Sequence, residues 1–202
     1  MPEHQYAYQG SPVRFVVEVY HDVLPALAGI SLREFFKEPD KCAAAWRCGN
    51  AQLAEYFGPV LPLRRVSPPP LSYGHLTCLG APLQYPEDGE PNVRPFAGSL
   101  DEAIAILEEK KGMDFAAHPL IREYMGITET LREAFPGEEI PFSGPGAQGP
   151  LTSAALMRGH DFYMEILDEP EKTARYLELM TDSIVDYRRF LNRINGQPEQ
   201  SP

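Results

Sequence analysis

Two groups of residues in this chain are of kinds that do chemistry. His21-Asp22, together with Tyr73 and His75, combines imidazoles, a carboxylate and a phenol, the types from which general acids and bases are drawn near neutral pH. The second group lies in Ile140-Pro-Phe-Ser-Gly-Pro-Gly-Ala-Gln-Gly-Pro-Leu-Thr-Ser-Ala-Ala-Leu-Met-Arg-Gly159 and the histidine after it. Pro150 has the fixed φ and missing donor suited to a first helical position, which makes Gly149 the expected N-cap. Free backbone N–H groups and the positive end of the helix dipole favour an anion at such a junction. The expected catalytic residues are therefore His21, Asp22, Tyr73 and His75. The expected substrate contacts are Ser143, Gly144, Gly149, Thr152, Arg158 and His160, and no metal ligands are assigned. Each has a plainer alternative: His21 and Asp22 opening a surface turn, His75 as a structural hydrogen-bonding residue, and any arginine as a solvated one.

These side chains need elements to hold them. Val13 to Tyr20 is rich in β-branched and aromatic residues and reads as a strand, so His21 and Asp22 stand at or just beyond its end. Ser31-Leu-Arg-Glu34 matches a capping box, and Pro39 starts a helix to about Phe57. Strands are expected at Val60 to Val66, Leu83 to Tyr85 and 140–143. Leu71 to Gly80 is ambiguous between helix and loop. Pro86-Glu-Asp-Gly-Glu-Pro91 is turn chemistry. Ser99-Leu-Asp-Glu102 matches a second capping box, and its helix ends near Gly112. Helices come next from Pro119 to Phe135, with Leu120, Tyr124, Ile127 and Leu131 as the buried stripe, and from Pro150 to about Leu167. The last runs from Glu171 to Ile194, with Leu177, Met180, Ile184, Tyr187, Leu191 and Ile194 at intervals of three and four, a face that must bury itself. Strands alternating with helical pairs imply a parallel sheet with helices outside it. In a parallel α/β fold, ligand sites gather at the carboxyl ends of the strands.

The chain has 202 residues, 43% hydrophobic and 23% charged, the make-up of one globular domain with a substantial core. A net charge of −11 argues against nucleic acid or an anionic membrane as a partner. Any anionic ligand then needs a local basic patch, for which Arg14, Arg64, Arg65, Arg94 and Arg158 are the candidates. Three cysteines without CxxC spacing fit neither a disulfide framework nor a tetrahedral zinc site. The first residues lack the regions of a signal peptide, and the expected setting is the cytoplasm.

Gly146-Ala-Gln-Gly-Pro-Leu-Thr152, the run through Met157-Arg-Gly159, and Leu167-Asp-Glu-Pro-Glu171 before a long amphipathic helix resemble the uroporphyrinogen decarboxylase family, which includes cobalamin-dependent methyltransferases. Leu27-Ala-Gly-Ile-Ser-Leu-Arg-Glu34, Pro39-Asp-Lys41, Leu79-Gly-Ala-Pro-Leu and Pro86-Glu-Asp-Gly89 are similar to that family as well, so the resemblance covers the chain from about residue 12. It implies a (β/α)8 TIM-barrel-like fold, here incomplete: the N-terminal half to two-thirds of the barrel in a single domain over 1–202, with flexible tails at 1–11 and 196–202. It implies a tetrapyrrole substrate or a corrinoid-linked methyl group, held at the barrel mouth. As a decarboxylase-like lyase the protein would need no cofactor. As a methyltransferase it would use zinc and a corrinoid, with the zinc ligands beyond residue 202. The expected partners are a small tetrapyrrole or a corrinoid protein, and either a second copy or a missing C-terminal half. The family's arginine-bearing loop near the N-terminus is replaced here by Tyr20-His-Asp-Val-Leu-Pro-Ala-Leu-Ala28. Pro69-Pro-Leu-Ser-Tyr-Gly74 carries no acid where the decarboxylases have their aspartate, and Leu156 stands where they have a tyrosine. These departures set the chain apart from true uroporphyrinogen decarboxylases. A non-catalytic half-barrel that pairs with another chain is the competing class.

Overall fold

The computed structural model describes residues 20–57, 65–87 and 89–198. The strand expected at 13–20, apart from Tyr20, and most of the one at 60–66 lie outside these residues, as do Arg14, Arg64, the first tail and 199–202. The described chain is mostly helical. α1 (Val23–Ala28), α2 (Leu32–Lys37) and α3 (Pro39–Phe57) pack on one another and, through α3, on α6 (Pro119–Ala134). α4 (Gly74–Leu79) leads into a two-residue ladder of β1 (Leu83–Gln84) and β2 (Asn92–Val93), then α5 (Leu100–Glu109) and a 3-10 turn at Phe115–Ala117. After α6 come α7 (Pro150–Arg158), α8 (Phe162–Asp168) and α9 (Pro170–Ile194), with α9 lying against α5, α7 and α8.

Local signals set most of these boundaries. The capping box before α2 is complete: Ser31 Oγ accepts from the Glu34 N–H, and the Glu34 carboxylate accepts from the Ser31 N–H. At α5 only half of the expected box forms. Ser99 Oγ caps Glu102 N–H, while the Glu102 carboxylate reaches back one residue further, to the Gly98 N–H at 2.6 Å. The ambiguous stretch after Leu71 resolves as the short helix α4.

The apolar residues form two clusters. One joins α1, α2, α3 and α6 around Phe35, Phe36, Trp46, Tyr124 and Leu131. The other joins α5, α7, α8 and α9 around Leu107, Met157, Phe162, Tyr176 and Met180. Tyr73 packs against both. The stripe expected on α9 is real but rotated slightly: Tyr176, Leu179, Met180, Ile184, Tyr187 and Phe190 are buried, whereas Ile194 is exposed. No helix among the described residues is long and apolar enough to cross a membrane.

The strands depart from expectation. Among the described residues the sheet is antiparallel, Leu83 opposite Val93 and Gln84 opposite Asn92, because the turn residues between β1 and β2 reverse the chain. No strand forms at 140–143. The parallel pairing expected there survives as one bridge, Leu71 with Pro145, in which Leu71 N–H donates to Gly144 O and Gly146 N–H to Leu71 O. Prolines explain why it stops. Pro141 and Pro145 on one side and Pro68, Pro69 and Pro70 on the other have no N–H with which to extend a ladder. A closed barrel is not seen among the described residues.

The helix expected from Pro150 to Leu167 is likewise two helices. Gly159, with φ of +82°, ends α7, and its Cα faces the Pro95 ring so closely that a Cβ would lie 3.1 Å from Pro95 Cγ. The Met157 carbonyl is taken by the N–H groups of Phe96 and Ala97 at 3.0 and 3.2 Å.

Candidate functional site

The structure divides the residues singled out in the sequence into three settings. The first is a run of rings. His21 is buried, its ring edge-on to Phe36 with centroids 6.0 Å apart. Phe36 leans on Tyr85 at 6.3 Å, and Lys37 lies over the Tyr85 ring. Tyr85 is an electrostatic neighbour of Tyr124, whose ring lies so close to Gly144 that a Cβ there would sit 2.5 Å from Tyr124 Cε1. A φ of +107° at Gly144 excludes most side chains in any case. From Gly144 the path continues to Leu71 through the parallel bridge. Gly144 therefore serves by letting two segments cross against an aromatic ring, and half-buried Ser143 precedes it.

What marks this wall is unused hydrogen-bonding capacity. Asp22 Oδ1, Tyr85 Oη and Tyr124 Oη are buried without a partner. His21 Nε2 lies 2.8 Å from Glu90 Oε1 but is not aligned as a hydrogen bond. Buried polar groups are normally satisfied, and each that is not carries a desolvation cost of about 1–3 kcal/mol. Burial pushes both phenols well above the ordinary tyrosine range, with Glu123 adding to the effect at Tyr85 and the Tyr85 and Glu123 charges adding to it at Tyr124. Both therefore stay protonated and present O–H donors, while Asp22 presents an acceptor. Tyr85 and Tyr124 were not among the candidates drawn from the sequence. The available signal was that a phenol in a buried helical stripe needs a hydrogen-bond partner.

The second setting is the interior behind α4. His75 is fully buried, its Nε2 2.9 Å from Ser183 Oγ on α9, its Nδ1 unpartnered, and its backbone N–H donates to Gly146 O. Burial lowers its pKa to about 4, so the ring is neutral at pH 7. Tyr187 Oη donates to Pro145 O at 2.7 Å, closing the same corner. Tyr73 caps α4, and its carbonyl accepts from Thr77 N–H and Thr77 Oγ1.

The third setting is α7 with the start of α8. Gly149 is the N-cap as expected, and it is exposed. Thr152 and His160 share an open groove of about 370 Å³ with Leu151, Leu156 and Tyr163. Arg158 does not join them. It is buried, gives Nε and one terminal nitrogen to the two carboxylate oxygens of Glu165, and gives its other nitrogen to the Ala97 carbonyl. A bidentate pair plus a carbonyl engages all three guanidinium nitrogens, and the side chain is 4% exposed, so Arg158 ties α7 to α8 and to Ala97 instead of lining the groove as the expected substrate contact. Arg65 and Arg94 are exposed, and Arg94 donates to Gln84 Oε1.

Among the described residues no three His, Cys, Asp or Glu side chains come together as metal ligands. All three cysteines are free, and burial pushes the thiols of Cys42 and Cys78 up to about 12, which keeps both as inert thiols.

No family model matches the chain, and no curated protein does. Among solved structures it is similar to a methyltransferase from Methanosarcina mazei, at 18% sequence identity and a TM-score of 0.57, over 85% of this chain and 47% of that one. The likeness is one of fold, and this chain spans about half of that protein's length.

Proposed function

We propose that this chain is part of a methyl-transferring enzyme built on a barrel, and that the methyl-bearing substrate, a corrinoid, lies against the wall formed by His21, Asp22, Phe36, Tyr85 and Tyr124. The observation that carries the site is the set of buried polar atoms there without partners. Two phenolic donors and one carboxylate acceptor suit a neutral ligand that offers both acceptors and donors. They do not suit a substrate bearing many carboxylates, which would call for several arginines, and Arg158 is held by Glu165. The fold likeness to a methyltransferase supports the same reading. In it the phenols orient the ligand by hydrogen bonds made in a water-poor site, where such bonds are strong. His21, held near Glu90, serves as the proton-handling group at the edge. Equilibrium dialysis with hydroxocobalamin tests the idea: retention should fall at least about tenfold in Tyr85→Phe/Tyr124→Phe. Equal retention by that variant and the parent, or none by either, would sink it.

A second reading, a non-catalytic module that pairs with another chain, has one observation in its favour. Tyr163, Met164, Ile166 and Leu167 put exposed apolar side chains on α8. It predicts a mass by light scattering above that of one chain, reduced by Met164→Lys/Leu167→Lys.

A further inference from the structure

Away from the wall, a cleft of about 370 Å³ opens between the end of α5, with the turn after it, and the outer half of α9. Its floor is apolar, made by Leu107, Phe115 and Leu179, and its rim carries Lys110, Lys111, Arg189 and Arg193 against Asp182 and Asp186. A local excess of cations is unusual on a chain with a net charge of −11. Lys110 is 3.0 Å from Glu109, and Arg189 is 3.5 Å from Asp186. Among the described residues Lys111 and Arg193 have no acidic partner at ion-pair distance, and of the two acids only Asp182 lacks a cation. Standing at the ends of α5 and α9, the basic residues offset the helix dipoles. An apolar floor open between them is not needed for that purpose.

Ser183 supplies an independent observation. It lines the cleft, and its Oγ is 2.9 Å from Nε2 of the fully buried His75, whose Nδ1 has no partner. A neutral imidazole carries one N–H. On Nδ1 that hydrogen would be an orphaned buried donor, the rarer defect. On Nε2 it is used by Ser183. With Oγ accepting from His75, the Ser183 hydroxyl hydrogen has no acceptor among the described residues and is free for the cleft.

We infer that this cleft binds a small organic anion, a carboxylate or phosphate ester with an apolar body, whose acid group meets Ser183 O–H, Lys111 and Arg193 while its body lies on Phe115 and Leu179. The site is separate from the wall of phenols and does not depend on the function proposed for it.

Calorimetric titration of the full chain with phenyl phosphate, benzoate and inorganic phosphate tests it. At least one of the two aromatic anions should bind tenfold or more tightly than inorganic phosphate, and which one does identifies the acid group. Lys111→Glu/Arg193→Glu should weaken that ligand tenfold or more, and Ser183→Ala by several-fold. Lys111 and Arg193 are exposed and lose only their helix-dipole interactions, so the double variant should melt a few degrees below the parent at most and stay folded at the titration temperature, which shows that a loss of binding is local. The inference fails if neither aromatic anion binds at millimolar concentration, or if inorganic phosphate binds equally well. It also fails if the charge-reversed variant binds like the parent, or if Leu151→Ser/Tyr163→Ser in the other groove is what removes binding.

Discussion

Arg158 and Tyr124 are both buried polar residues, and they stand in opposite conditions. Arg158, at the end of α7, has its guanidinium taken up by both oxygens of Glu165 and by the Ala97 carbonyl. Tyr124, in the middle of α6, is fully buried with a hydroxyl that touches no acceptor. Residue type alone ranks them the other way, since an arginine beside a glycine-rich turn looks like a ligand contact and a tyrosine in an apolar stripe looks like core. What separates structure from site is whether the hydrogen-bonding capacity is already spent. A satisfied group holds the fold, and an unsatisfied one is a cost that a ligand can remove.

The largest effect should come from breaking the satisfied side. Arg158→Ala leaves Glu165 largely buried without its cation, and loss of one partner of a buried pair costs about 3–5 kcal/mol. Urea unfolding of Arg158→Ala and of Arg158→Met/Glu165→Leu should show the double variant recovering most of the loss, because the carboxylate goes too. Unchanged stability in Arg158→Ala would mean that the guanidinium is not engaged as described, and the contrast with Tyr124 would collapse.

His75 gives the next largest effect and belongs between the two, with Nε2 used and Nδ1 bare. Burial lowers its pKa from 6.5 to about 4. Between those values the unfolded chain binds a proton that the folded chain refuses, so stability falls as the pH drops from 6.5 toward 4 and levels below it. Its full size is up to about 3 kcal/mol. Other groups titrate in this range, so the measurement is the difference in unfolding free energy between pH 7 and pH 4.5 for the parent and for His75→Gln. The variant should show the shallower fall. Parallel pH profiles would mean that the imidazole is not shielded from water.

Tyr187 sharpens the comparison at equal chemistry, because its hydroxyl donates to Pro145 O where that of Tyr124 donates to nothing. Tyr187→Phe strands a buried carbonyl and should cost about 1–3 kcal/mol in urea unfolding. A loss no greater than that of Tyr124→Phe would remove the distinction between spent and unspent hydroxyls.

How much of this is legible in the sequence depends on the range of the signals. The capping box at Ser31 and Glu34, the start of α7 at Pro150 and the stripe of α6 depend on neighbours within a turn or two, and they stand where the spacing puts them. The strand expected at Leu83 to Tyr85 forms as β1, whereas the one expected at 140–143 does not, because the prolines at 141 and 145 deny the ladder its donors. Arg158 misleads for want of a partner that lies on the next helix, beyond a break at Gly159 that the helical pattern bridges smoothly. The wall is half legible. His21, Asp22 and Gly144 are prominent in the sequence, but Phe36, Tyr85 and Tyr124 come from three separate elements and meet only through packing, which no periodicity encodes.

The smallest effect on stability is the most informative one. Tyr124→Phe removes an oxygen that has no partner, so the folded state loses no hydrogen bond and is spared the desolvation of a bare hydroxyl. The unfolded state loses only a hydrated group. The net change should lie within about 0.5 kcal/mol of zero and lean toward stabilisation. The same substitution should weaken whatever ligand accepts from that hydroxyl, so stability and binding move apart, which a purely structural residue cannot do. Urea unfolding and dialysis with hydroxocobalamin on one preparation read both quantities. A clear loss of stability with unchanged retention would make Tyr124 another Tyr187, a structural hydroxyl, and the wall would then be ordinary core.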